Sequence, residues 1–368
     1  MLTRRDFLQA VSLLAAVSVS AQSSKTNATF PFVDGLALDI LEEPKDIRAS
    51  GLTAVVTDMS AVQQVPTPDG SPKWQRTFEA TTRKMVDARQ RLRSLPDVFL
   101  GTQGTAIRDA FKKKQTAVFF QVQGGGEIVG EELSRIDLLS ELGLRILQIT
   151  HHNNNPLGGG SIEKTTSGLT KLGFDAVARL NSLNVIPDLS HSSDQTGKDV
   201  LKTSKRPVII SHGAARAIVN NARCSPDEII RGVADSGGVM GIFAMSFWLT
   251  NDPIPTVESY LKQIRHVVNI GGIDAVGIAN DFPLSGEASL NEAKGDNSVA
   301  VKGYLAWWDS VAKLGVLGFD KRPGHVAIPE LNNISRIQTI HDALVSAKFK
   351  SAEIEKIMGE NWIRVLSS

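Results

Sequence analysis

Two short apolar runs of this chain stop on the same pair of residues, IPDLSH at 186–191 and VIISH at 208–212. A third, LRILQITH at 144–151, also stops on histidine, and a fourth, DAVGIAND at 274–281, stops on aspartate. His151, His191, His212 and Asp281 therefore stand at the ends of runs that read as strands, with His152 one step beyond, while His266, His325 and His341 fall in helical or loop segments. Imidazoles grouped with a carboxylate are the donor set of a catalytic metal site. One such histidine is usually structural, but several converging with an aspartate point to a functional site.

Convergence requires elements that bring these ends together. Eight runs have strand character: 30–38, 52–58, 116–123, 144–151, 185–191, 207–212, 238–245 and 274–281. Helical stretches with apolar residues three and four apart lie between them, such as ELSRIDLLSELG, LTKLGFDAVARLNSLN, SPDEIIRGVADSGG and VESYLKQIRHVVNIGG. Pro226 and Gly237 bracket one of these as start and stop signals. Eight strands alternating with helices predict an α/β fold, a single (β/α)8 TIM-type barrel, with an open doubly wound sheet as the alternative. In such a barrel the C-terminal strand ends share one rim, and the chemistry sits there.

Composition narrows the partners. The 368 residues, 42% hydrophobic and 21% charged, are enough for one large core. Lys plus Arg number 40 against 39 Asp plus Glu, so charge gives no reason to expect nucleic acid or an anionic membrane surface, and a small molecule is the expected partner. Cys224 is the single cysteine, which excludes an intramolecular disulfide and reads as a small buried apolar residue. Residues 1–21, with Arg4–Arg5, a short apolar stretch and small residues up to Ala21, resemble a twin-arginine-type export signal. The expectation is a periplasmic protein whose barrel domain is residues 22–368. No other apolar segment is long enough for a membrane anchor.

The stretches THHNNNP (150–156), GLTKLG (168–173), DLSH (188–191), ISH (210–212) with Arg223 after it, NDF (280–282) and KIMGENWIRVL (356–366), taken in order, resemble the membrane dipeptidase (renal dipeptidase) family of two-zinc hydrolases, which are (β/α)8 barrels. The resemblance runs from Asp34 to the end. It implies that His191 and His212 bind one metal, that His151 contacts substrate, that Arg223 holds the substrate's carboxylate, that Asp281 is the aspartate at the other metal site, and that the protein is a homodimer.

The family pattern also calls for Asp-Gly-His-x-Asp at the first strand and a bridging Glu on the third. Here DGLAL puts Leu36 and Leu38 in the ligand positions and Gln123 in that of the Glu, and Pro283 replaces a second Asp after NDF. Leucine has no lone pair, and a neutral amide cannot offset two neighbouring dications. The expectation is one divalent ion, zinc before nickel, iron or manganese, on His191 and His212 with Gln123, Asp281 or water completing it. Asp39 would face away from the site, while Asp58 and Glu127 are possible stand-ins whose ordinary reading is a cap or turn.

Three functions compete. One is a single-metal hydrolase of a dipeptide or related carboxylate-bearing amide, with Asp281 and His151 catalytic. Another is a lyase or isomerase working without metal in a leucine-lined pocket. The last is a non-catalytic binding protein, which would need no convergent titratable set.

Overall fold

The structure, a computed structural model, describes residues 28–65 and 73–368, so the export-signal expectation lies outside it. Its strands are β1 (Val33–Ala37), β2 (Ala54–Asp58), β3 (Val62–Val65), β4 (Lys73–Arg76), β5 (Val98–Leu100), β6 (Thr116–Val122), β7 (Leu144–Gln148), β8 (Ile186–Asp188), β9 (Ile210–Gly213), β10 (Met240–Ile242) and β11 (Val276–Ile278). Each of the eight apolar runs holds one strand. These strands pair in parallel, as expected of chain segments separated by helices and buried on both faces.

One sheet runs β1-β2-β6-β7-β8, with β5 added on β6, and another runs β9-β10-β11. Single parallel bridges lie at both seams: Asp188 with Ile209 between β8 and β9, and Leu38 with Pro283 beyond β1 and β11. At the second seam Asp281 N donates to Leu36 O at 2.9 Å and Leu38 N to Phe282 O at 3.1 Å. The architecture is thus α/β with a parallel sheet of barrel type.

The helices form where apolar spacing placed them. Asp227–Asp235 starts after Pro226, buries Ile229, Ile230 and Val233, and ends before Gly237, whose φ of 78° suits glycine. Thr170 caps Lys171–Ser182 by accepting from Gly173 N.

Alternate strand residues, Ala54 and Val56, Ala117 and Phe119, Ile146, Ile186, Ile209, Val239 and Ala279, form one apolar cluster around Trp362. The Trp362 indole donates to Ile278 O at 3.0 Å. It fits because β1 and β11 place glycines against it: a Cβ on Gly35 would lie 2.0 Å from the ring, and one on Gly277 2.5 Å. The terminal helix Asn361–Leu366 thereby closes the end of the strands away from the histidines.

Strand β1 carries one extra residue between its pairings of Asp34 with Val55 and Ala37 with Thr57. The Asp34 carboxylate accepts from Leu36 N at 3.1 Å and from Asn280 N and Nδ2 at 2.9 and 2.7 Å, tying β1 to β11. Leu36 and Leu38 both join the enclosed apolar cluster, and Asp39 is exposed at φ 51°.

Candidate active site

At the C-terminal strand ends, one carboxylate organises two histidine-bearing segments, the turn that carries His191 and the strand β9 that carries His212. Asp188, the last residue of β8, is fully buried. Its Oδ1 accepts from Ser190 N (2.9 Å), Ser190 Oγ (2.9 Å) and Ser211 N (2.8 Å), and its Oδ2 from Ser211 Oγ (2.6 Å) and Gln121 Nε2 (2.9 Å). Ser190 Oγ in turn accepts from His212 N at 3.0 Å. The first of these bonds bends the chain sharply after Asp188, so His191 is presented from a turn at φ 65° and not from the strand itself. The repeated Ser-His ending is therefore structural as well as chemical: Ser190 holds the turn that aims His191, and Ser211 ties the strand that carries His212 to the same carboxylate.

The histidines meet. His191 Nε2 lies 2.9 Å from His212 Nε2, and His191 Nδ1 lies 3.0 Å from His152 Nδ1. The His151 ring stacks on His191 with centroids 4.2 Å apart. One ligand nitrogen each of His151, His152 and His191 falls within a 4.8 Å group. Burial first, and then nearby Arg223 and neighbouring imidazoles, hold His191 and His212 well below the usual histidine pKa; for His151, burial and Arg76 do the same. All three rings are neutral near pH 7, the state that binds metal.

Donor accounting fixes the tautomers. Ser211 spends its hydroxyl proton on Asp188, so it accepts from His212 Nδ1 at 2.8 Å, leaving the lone pair of His212 on Nε2. Arg223 Nη2 donates to His191 Nε2 at 2.9 Å, so the proton of His191 is on Nδ1 and passes to His152 Nδ1. Two lone pairs then face one another across 2.9 Å. Paired ε-nitrogens with no proton between them fit a shared divalent ion, whose Zn–N distances are about 2.0–2.1 Å.

Arg223 is buried beside the stacked pair Phe243 and Trp248, its Cζ 5.2 and 5.4 Å from their ring centroids. Burial pushes its pKa down to about 10, against the support of Asp281. Nη2 also donates to His212 O at 3.2 Å, while Nε has no partner among the described residues. Asp281 is buried at φ 56°.

The possible stand-ins are otherwise engaged. Asp58 Oδ1 accepts from Ser60 N (2.9 Å) and Gln123 N (3.1 Å), and Oδ2 from Ser60 Oγ (2.5 Å). Glu127 pairs with Arg76 at 3.6 Å. Gln123 is buried beyond the end of β6. Leu36 and Leu38 offer no donor atom to a metal ion.

Sequence reading missed several residues here: Asp188 and Gln121 beneath the histidines, the aromatic pair Phe243 and Trp248 beside Arg223, and Arg76. The last rides on the β3–β4 hairpin and packs by Gly124, where a Cβ would lie 3.0 Å from Arg76 Cδ and 3.5 Å from His151 Cβ. The DLSH and ISH stretches carried a signal for the first, since an Asp two residues before Ser-His is placed to accept from that turn.

Among solved structures the chain is similar to an amidohydrolase from Pseudomonas aeruginosa, at 25% identity and a TM-score of 0.75 over 92% of this chain and 95% of that one. It has the fold of a metallo peptidase from Rhodobacter sphaeroides, solved with a phosphinate mimic of the dipeptide L-Ala-D-Ala (18% identity, TM-score 0.71, 92% and 99% covered). It also has that of the probable dipeptidase PvdM from Pseudomonas aeruginosa (17%, 0.72, 92% and 95%). Residues 45–297, more than half of the chain, match the family described as membrane dipeptidase, peptidase family M19. The chain belongs to the membrane dipeptidase family and is a hydrolase of the metallo-dipeptidase type.

Proposed function

We propose that this protein hydrolyses a dipeptide, or a related amide with a free carboxylate, using one divalent ion, zinc in the first instance, held by Nε2 of His191 and His212. Gln123, Asp281 or water would complete the shell. The observation that carries the reading is the facing pair of ε-nitrogens, each ring fixed from behind by a hydrogen bond. Leu36 and Leu38 in the apolar cluster argue against a second ion.

When bound, such an ion supplies Lewis-acid polarisation and a water of lowered pKa. The chain does the rest. Arg223, seated beside Phe243 and Trp248, turns from His191 to the substrate's carboxylate, and its fork takes both oxygens. His151 is neutral and donates to the carbonyl oxygen as charge develops there. Asp281 takes the proton from the attacking water and returns it to the departing amine.

The reading extends to the whole chain. The bridges at both seams and the apolar cluster drawing on both sheets support one closed eight-stranded barrel. The paired arginines at the N-terminus support export to the periplasm.

The test is hydrolysis of free dipeptides compared with their C-terminal amides by zinc-loaded enzyme. We expect cleavage of the free forms, with kcat/KM about 10²-fold or more lower for the amides, because an unpaired Arg223 would be left buried. No cleavage, or equal rates, overturns the reading. Cleavage that persists after chelation would move the chemistry to a metal-free reaction.

A further inference from the structure

His152 has no part in the chemistry above, yet its ring is held as firmly as those of the reacting residues. Its centroid lies 4.3 Å from that of His151 and 4.4 Å from that of His191, both edge-on. Trp307, from the helix Asn297–Ala312, covers it at 5.5 Å. Its backbone sits at φ 33°, a costly conformation for a non-glycine residue. His152 O accepts from Ile162 N at 2.9 Å, and Ser161 N donates to His191 O at 2.9 Å, so one loop carries both histidines in register.

We infer that His152 is a positioning residue for the metal site: its Nδ1 accepts the Nδ1 proton of His191 and so holds His191 as an ε-nitrogen ligand. His212 has an equivalent support in Ser211 and Asp188, and His191 has this contact on the same side of its ring. A ligating imidazole whose other nitrogen is anchored keeps its tautomer and angle, and loss of such an anchor typically weakens metal binding about 10–100-fold. In this site the anchor is a second imidazole and not a carboxylate, so it adds no negative charge beside the buried Arg223.

The inference rests on the single-ion reading and is tested apart from activity, with Zn²⁺ alone. Its dissociation constant is measured by chelator competition for the parent, His152→Leu and His152→Asp, and the ring nitrogens of His191 are followed by ¹H–¹⁵N NMR. Leucine offers no acceptor, so Zn²⁺ should bind about 10–100-fold more weakly and His191 should no longer show a single protonated Nδ1. Aspartate restores an acceptor and is tolerated at positive φ, so it should bind within a few-fold of the parent. A merely structural histidine would be missed equally in both variants. Parent-like Zn²⁺ binding by His152→Leu overturns the inference and leaves the single-ion reading standing. A parent that binds no Zn²⁺ overturns both. Should the leucine variant not fold, the aspartate variant decides, and a tenfold loss there counts against the inference.

Discussion

Asp188 shows how much of this site rests on one buried carboxylate. It accepts five hydrogen bonds that set the turn of His191 and anchor the strand of His212. Asp188→Asn puts an amide N–H against Ser211 and Gln121, and we expect a loss of about 1–3 kcal/mol in urea unfolding with Zn²⁺ binding weakened as well. Unchanged stability would remove Asp188 from this role. The neutral histidines set a pH dependence. His151, His191 and His212 have folded pKa values well below the unfolded value of about 6.5, so the unfolded chain takes up protons first as pH falls. The stability they contribute is complete above pH 6.5 and is lost progressively below it. For three protons the slope reaches about 4 kcal/mol per pH unit. The metal-free Tm should therefore drop between pH 7 and pH 5, and less so in His191→Ala/His212→Ala; a flat profile would show that the rings are charged in the fold. Among residues, the strand-end histidines and Asp281 were legible because their runs ended on them. Asp188 was less so, since DLSH shows the local turn with Ser190 but not the donors that folding brings from Ser211 and Gln121.

At the scale of elements, eight of the nine parallel strands, all but the short β5, could be read from sequence because strands buried on both faces appear as continuous apolar runs. The hairpin of β3 and β4 could not. VQQV and KWQR are mostly polar, and their Val62 and Trp74 stay exposed, yet they deliver Arg76 to His151. The bulge in β1 was also hidden, because its cause is Asp34 bonding to Asn280 far along the chain. The terminal helix was legible as a matching stretch but not as a plug. Trp362→Ala should open a cavity under the strands and cost about 3–5 kcal/mol in unfolding free energy. Gly277→Ala should be destabilising too, with its Cβ 2.5 Å from the Trp362 ring nitrogen. If Trp362→Ala costs under about 1 kcal/mol, the helix does not hold the strand ends together.

For the whole molecule, we propose that the family fold is kept while one of its two metal positions has turned apolar. The leucines at 36 and 38 lie in the same cluster as the strand interior, as though the core had advanced one layer toward the rim. Restoring donors with Leu36→His, Leu38→Asp and Gln123→Glu together should raise the bound ions from about one toward about two per chain. If the triple variant folds and still binds one, the leucines are not what excludes the second ion. The most direct measurement is the metal content per chain of the protein purified without added metal, by elemental mass spectrometry, beside His191→Ala/His212→Ala. About one ion per chain, lost in the double variant, is predicted. Two ions, none in a folded protein, or one that survives both substitutions would contradict a single ion shared by His191 and His212.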